Sequence, residues 1–179
     1  MKRTLLLLTF LAQAAFAATP IPPGASYDLG FSPGGSSLTV VQKGIDSAKQ
    51  EVLVAAYGFT SKPIAQSLVA AARRGVKVAV VADRKANQPA QNGKFTALSY
   101  LAQQGIPVRL NGEYAIHHHK FMVIDGKTVE TGSFNYSQAA VKANAENVLL
   151  LWNVPALASD YTREWKRLWQ ESQPLQIGH

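Results

Sequence analysis

The chain has 179 residues, no cysteine, and 18 Lys and Arg against 11 Asp and Glu, for a formal net charge of +7. Without cysteine, disulfides, thiol catalysis and cysteine-ligated metal sites are excluded. The cationic excess favours an anionic polymer or surface as partner, but a basic surface kept for solubility explains the charge equally well.

Lys2-Arg3, the apolar run Leu5 to Leu11 and the small-residue site Ala15-Phe16-Ala17 form the pattern of a secretory signal peptide over residues 1–17. That run is too short to span a bilayer as a mature helix. The expected protein is therefore one domain over 18–179, exported across the inner membrane to the periplasm or the exterior and not inserted stably in the membrane. Loss of Lys2 and Arg3 leaves a charge of +5. The remaining basic residues are spread along the chain, among them Lys62, Arg73-Arg74, Lys77, Arg84-Lys85, Lys94 and Arg109.

After a short extended piece around Tyr27 to Phe31, Ser36 or Ser37 can cap a helix bearing Leu38, Val41, Ile45 and Ala48 on one face. Glu51 to Tyr57 reads as a buried strand. A second helix starts at Ser61-Lys62-Pro63, turns Ile64, Leu68 and Ala72 inward, and stops at Gly75. Val76 to Ala82 is the next strand, apolar on both faces. A polar loop from Arg84 to Gly93 leads to a third helix with Phe95, Leu98 and Leu101, and Ile106 to Leu110 is the third strand. The helix, glycine, strand order occurs twice, which predicts right-handed βαβ crossovers and an α/β fold with a mixed, mostly parallel central sheet flanked by helices.

Beyond Glu113 the pattern changes to a hairpin, with extended runs Ile116 to Asp125 and Thr128 to Phe134 around Asp125-Gly126-Lys127. A helix near Ser137, a strand from Glu146 to Trp152 and an amphipathic helix from about Ala156 to Gln173 complete the chain. Leu157, Tyr161, Trp165 and Leu168 share one face of that last helix, so Trp165 and Trp169 suit a core or interface better than base stacking. A two-residue turn at either Gly126-Lys127 or Asp125-Gly126 puts His118, Lys120, Ser133 and Asn135 on one face of the hairpin, with opposed Cβ atoms roughly 5 Å apart. A three-residue loop would turn one strand over and separate them.

These four residues supply a nucleophilic imidazole, a fixed ammonium, a hydroxyl and an amide, the groups needed to attack a phosphodiester without a metal. Outside His117-His118-His119 the sequence has one other histidine, His179. His117 and His119 share the opposite strand face and could be zinc ligands, but no third ligand is evident. Ser133 lacks the flanking pattern of an acyl-transfer nucleophile and suits phosphate binding or the turn.

The string His118-x-Lys120-x4-Asp125-x6-Gly132-Ser133-x-Asn135 resembles the signature of the phospholipase D superfamily. With one motif copy, small size and an export signal, the chain is similar to the short secreted bacterial endonucleases of that superfamily. The resemblance implies a symmetric homodimer, with His118 as nucleophile in one subunit and acid/base in the other, and Lys120 and Asn135 on phosphate oxygens. It also implies a carboxylate partner for the histidine in a location comparable to Glu146, which can equally be a solvated glutamate at a strand start. The candidate catalytic set is His118, Lys120, Asp125 and Glu146, and the phosphate-binding set is Lys120, Ser133 and Asn135. Asp125, before Gly126 and of opposite parity to His118, suits a structural role, for example in a salt bridge near the site.

The expected function is a metal-independent, cofactor-free phosphodiesterase that cleaves nucleic acid, DNA or RNA, through phosphohistidine. Two alternatives are a phospholipase D or phosphatidyl transferase acting on phospholipid, and a non-catalytic basic DNA-binding module.

Overall fold

The unbroken apolar runs of the central strands dictate a sheet covered on both faces. A computed structural model describes residues 18–87 and 96–177, so the expected signal peptide, Phe95, much of the polar loop after Asn87, and His179 lie outside the described residues. Eight strands are defined: β1 (Ser26–Ser32), β2 (Glu51–Ala56), β3 (Lys77–Asp83), β4 (Val108–Asn111), β5 (Lys120–Ile124), β6 (Thr128–Gly132), β7 (Glu146–Trp152) and β8 (Gln173–Pro174). They form one sheet in the order β1-β7-β6-β5-β2-β3-β4-β8. The helices are α1 (Ser36–Ser47), α2 (Lys62–Arg73), α3 (Ala97–Gln103), α4 (Gln138–Lys142) and α5 (Pro155–Gln170).

Val52, Val54 and Ala56 of β2, with Met122 and Ile124 of β5, face one core shared with α1, α2 and α3. Leu53, Ala55, Phe121 and Val123 face a second core under α5, where Trp165 and Leu168 are buried. The Trp165 indole N–H donates to the Val54 carbonyl at 2.9 Å, and its ring stacks on Trp169, which also carries the Arg109 guanidinium. The tryptophans therefore belong to the core and its rim.

The α/β fold and mixed sheet are as expected, and β2-α2-β3-α3-β4 makes the two parallel pairings that the repeated glycine stops predict. Mostly parallel is incorrect, because the β1/β7, β7/β6, β6/β5, β5/β2 and β4/β8 pairings are antiparallel. After β4 the chain returns antiparallel beside β2 as β5, β6 and β7 each run back beside the strand before, and β8 closes the edge at β4, whereas only the βαβ crossovers produce parallel neighbours. The two-residue strand β8 carries no sequence signal of its own.

Among the described residues two carboxyl groups are buried, Asp83, which accepts from backbone N–H groups, and Glu130. Glu130 on β6 is 1% exposed, its Oε2 lies 2.5 Å from the Tyr136 hydroxyl, and its Oε1 has no hydrogen-bond partner. Burial pushes its pKa from 4.5 up to about 8, against the opposing effect of the Tyr136 hydrogen bond. The folded protein therefore holds a proton that the unfolded chain releases above its ordinary carboxyl pKa. Stability should be greatest below about pH 4.5 for this group and should fall as pH rises toward about 8. His117, held down to about 4 by burial, contributes in the opposite direction up to about pH 6.5. Urea unfolding should therefore show stability falling more from pH 5 to pH 8.5 in the wild type than in Glu130→Gln, the difference being a few kcal/mol.

Candidate active site

The strand directions bring every candidate except Asp125 to one edge of the sheet. β2, β3 and β6 end there, and β5 and β7 begin there, as the pairings Ala56 with Lys120, Ala56 with Ala82 and Gly132 with Val148 show. Loops beyond the carboxyl ends of parallel strands are where α/β sheets place their ligands. The segment carrying the histidines crosses this edge because the His117 N–H donates to the buried Asp83 carboxylate at 2.8 Å, outside the β5 ladder. The expected strand from Ile116 is for this reason shortened to start at Lys120.

Lys120 is 7% exposed, with its Nζ donating to the His118 carbonyl at 2.9 Å and lying 5.1 Å from the centre of the Tyr57 ring. Burial lowers its pKa and the charge of Glu146 opposes that effect. Among the described residues no carboxylate ion-pairs with this ammonium. Such a group gains when an anion enters, because a half-desolvated cation interacts strongly with incoming charge. The His118 side chain is exposed, and its imidazole centre is 4.7 Å from that of Tyr57, with the planes 58° apart.

Neither two-residue-turn register occurs. Ile124 pairs with Thr128 and Phe121 with Thr131, so three residues separate the paired ends. Asp125 and Gly126 do take left-handed φ of 51° and 63°, and the Lys127 N–H closes the turn on the Ile124 carbonyl. Lys127 is then an extra residue, its carbonyl drawn out of the ladder to accept from the Val154 N–H at 2.8 Å. The ladder alone would put Ser133 and Asn135 on the face opposite Lys120.

The contact between Ser133 and Glu146 replaces the lost register. Glu146 precedes Val148 and Leu150 in the alternation of β7, on the same face as Lys120, Met122 and Ile124. The Ser133 Oγ donates to Glu146 Oε2 at 2.6 Å and accepts from the Asn147 N–H at 3.1 Å. Gly132 permits this approach: a Cβ there would lie 2.2 Å from the Asn147 carbonyl oxygen. Asn144 donates to the other Glu146 oxygen at 3.0 Å. Among the described residues Glu146 is bonded to Ser133 and Asn144, not to His118. Asn135 is half-buried, with its Oδ1 buried and without a partner.

Asp125 lies at the opposite end of β5 from Lys120, which removes it from the catalytic set and from any salt bridge near the site. Its carboxylate accepts from the backbone N–H groups of Lys49, Gln50 and Glu51, tying the hairpin turn to the start of β2. Burial raises its pKa, but these three donors outweigh that and hold it below the usual range. His117 and His119 turn away from the site as their parity predicts. Burial pushes His117 down to about 4, with the neighbouring His119 adding to the effect, and the His119 Nε2 lies 3.3 Å from the Glu164 carboxylate. Sequence reasoning missed Tyr57, Asp83, Asn144 and Asn147. No spacing rule ties them to the motif, although Asn144 and Asn147 flank Glu146.

The family described as "Cardiolipin synthase, PLD-like domain" matches residues 41–169. The chain therefore belongs to the phospholipase D superfamily of phosphodiesterases. It is 38% identical over 133 residues to a phospholipase D of Rickettsia typhi, covering 74% of this chain and 62% of that protein. To mouse mitochondrial cardiolipin hydrolase it is 29% identical over 163 residues, covering 90% of this chain and 72% of the mouse protein. The chain thus spans less than two thirds of the length of the rickettsial relative. Among solved structures, Nuc from Salmonella typhimurium, a phospholipase D family member, superposes with a TM-score of 0.81 at 38% identity, covering 86% of this chain and 99% of Nuc. NucT from Helicobacter pylori shares the fold, with a TM-score of 0.75 at 24% identity over 84% of this chain and 99% of that one.

Placement of Asp125 separates stability from catalysis. Asp125→Ala should destabilise the fold by about 1–3 kcal/mol, since it removes the charged acceptor shared by three backbone N–H groups, and leave kcat close to wild type. Urea denaturation and steady-state kinetics on the same variant check both halves.

Proposed function

We propose that this protein is an exported, metal-independent phosphodiesterase that cleaves nucleic acid as an endonuclease of low sequence preference, through a phosphohistidine intermediate. The observation that carries this reading is the buried ammonium of Lys120 beside the exposed imidazole of His118, at an edge where the strand ends converge. Lys120 and the Asn135 amide would hold the non-bridging oxygens. One nitrogen of His118 attacks phosphorus, and the P–O bond to the leaving nucleoside oxygen breaks as that oxygen takes a proton from an acid. Water, giving its proton to the same group, then attacks phosphorus and breaks the P–N bond. Ser133 and Glu146 orient the phosphate side of the site.

The acid is His118 of a second copy. His117 is buried and faces away, and His119 is engaged with Glu164. One side of the sheet also suits a homodimer: Tyr27, Leu29 and Phe31 are exposed on the face of β1 that α5 leaves uncovered. That face continues onto β7, the strand that begins with Glu146. A second copy that covers it would be fixed beside the active edge.

Nucleic acid is favoured over a small phosphodiester by charge placement. Lys62, Arg84, Lys85 and Lys142 are exposed beside the same strand ends, so backbone phosphates on either side of the scissile one would meet cations. A phospholipid substrate is the second reading. The names of the rickettsial and mouse relatives favour it, as does the exposed Ile116 two residues before His118. No helix among the described residues is long and apolar enough to cross a membrane.

Plasmid DNA, phosphatidylcholine, phosphatidylglycerol and cardiolipin vesicles, incubated in parallel with the protein in excess EDTA, discriminate these readings. Cleavage of plasmid is expected, with His118→Ala losing several orders of magnitude in rate while still binding DNA. Phe31→Asp should yield an inactive monomer. Headgroup release without DNA cleavage would replace the nuclease reading with the lipid one, and activity that depends on added magnesium would defeat the chemistry.

A further inference from the structure

We infer that Tyr57 is a positioning residue that sets the relative placement of the His118 imidazole and the Lys120 ammonium. The inference rests on the phosphohistidine reading above. It begins from an unmet requirement: an in-line nucleophile needs its ring held in one orientation, since misplacement by about 1 Å can cost on the order of a hundredfold in rate. Glu146, the side chain expected to hold His118, is bonded to Ser133 and Asn144. The His118 ring is exposed, and the neighbour that limits its rotation is the Tyr57 ring, 4.7 Å away and tilted by 58°.

Tyr57 also meets the second reacting group. It follows Ala56, which pairs with Lys120, and the Lys120 Nζ lies 5.1 Å from its ring centre. One aromatic side chain thus touches both the nucleophile and the phosphate-binding cation. A π face attracts cations within about 6 Å. The ring therefore favours the ammonium in place, and it favours the imidazolium charge that develops as the His118 nitrogen bonds to phosphorus. The backbone beneath it is fixed on both sides by Asn87. Its Nδ2 donates to the carbonyls of Tyr57 at 2.5 Å and Asp83 at 2.8 Å, and its Oδ1 accepts from the Phe59 N–H at 2.8 Å. Tyr57 is consequently carried by the frame of β2 and β3, beside the exposed imidazole it contacts.

The ring, not the hydroxyl, is the working part, which makes the inference separable from a general loss of structure. Tyr57→Phe should keep kcat within about threefold of wild type, and Tyr57→Leu should lower it about 10- to 100-fold with KM little changed. Steady-state kinetics are run on whichever phosphodiester the wild type cleaves. The His118 ring protons, assigned by NMR through His118→Gln, should be displaced upfield by the ring current of Tyr57 in the wild type and in Tyr57→Phe, and return toward free-histidine positions in Tyr57→Leu. That spectrum needs no turnover, so it tests the contact even if the phosphohistidine route fails. Unaltered kcat in Tyr57→Leu would overturn the inference, as would ring protons with no upfield displacement in the wild type or a loss in Tyr57→Phe equal to that in Tyr57→Leu.

Discussion

Lys120 is a charged side chain kept under cover at the first position of a strand whose remaining residues are all buried, and the rest of the active edge is arranged around that constraint. Desolvating an ammonium is costly. Three features offset the cost here: the His118 carbonyl as acceptor, the Tyr57 π face, and the charge of Glu146 across the strand ends. None of them neutralises the ammonium by direct contact. It remains available to an anion, and in the proposed mechanism the electrostatic work that other phosphodiesterases assign to a divalent ion falls to side chains.

The remaining carboxylates are placed to avoid quenching that charge. Asp125 is consumed by three backbone N–H groups at the far end of β5, Asp83 by the Ala86 and His117 N–H groups, and Glu130 is buried against Tyr136 with its pKa raised to about 8. Among the carboxylates of the described residues Glu146 alone faces the site, and Ser133 and Asn144 engage both of its oxygens. The same edge therefore combines a cation with limited acid competition and, on its exposed side, the imidazole of His118.

Sequence alone revealed the parts whose signals are local. Gly75 and Gly105 mark helix stops that lead into strands, which made β2-α2-β3-α3-β4 legible, and the motif spacing identified the superfamily. The hairpin register was wrong by one residue, because the Lys127 carbonyl is claimed by Val154, 27 positions away in a segment that no turn rule includes. The predominance of antiparallel pairs was hidden for a similar reason: β1 finds its partner in β7, at the other end of the chain. Tyr57 was invisible as a site residue, since an aromatic at a strand end looks like core. Its importance comes from the His117 N–H being drawn to Asp83, which brings the next residue over the ring.

Covalent capture tests the central claim most directly. Protein mixed with labelled DNA in excess EDTA, quenched in base within the first turnover and digested for mass spectrometry, should carry phosphoryl-nucleotide on His118, at one label for every two chains. A label on another residue, a stoichiometry of one per chain, or turnover without any protein-bound phosphate would contradict a shared imidazole pair acting on one phosphorus.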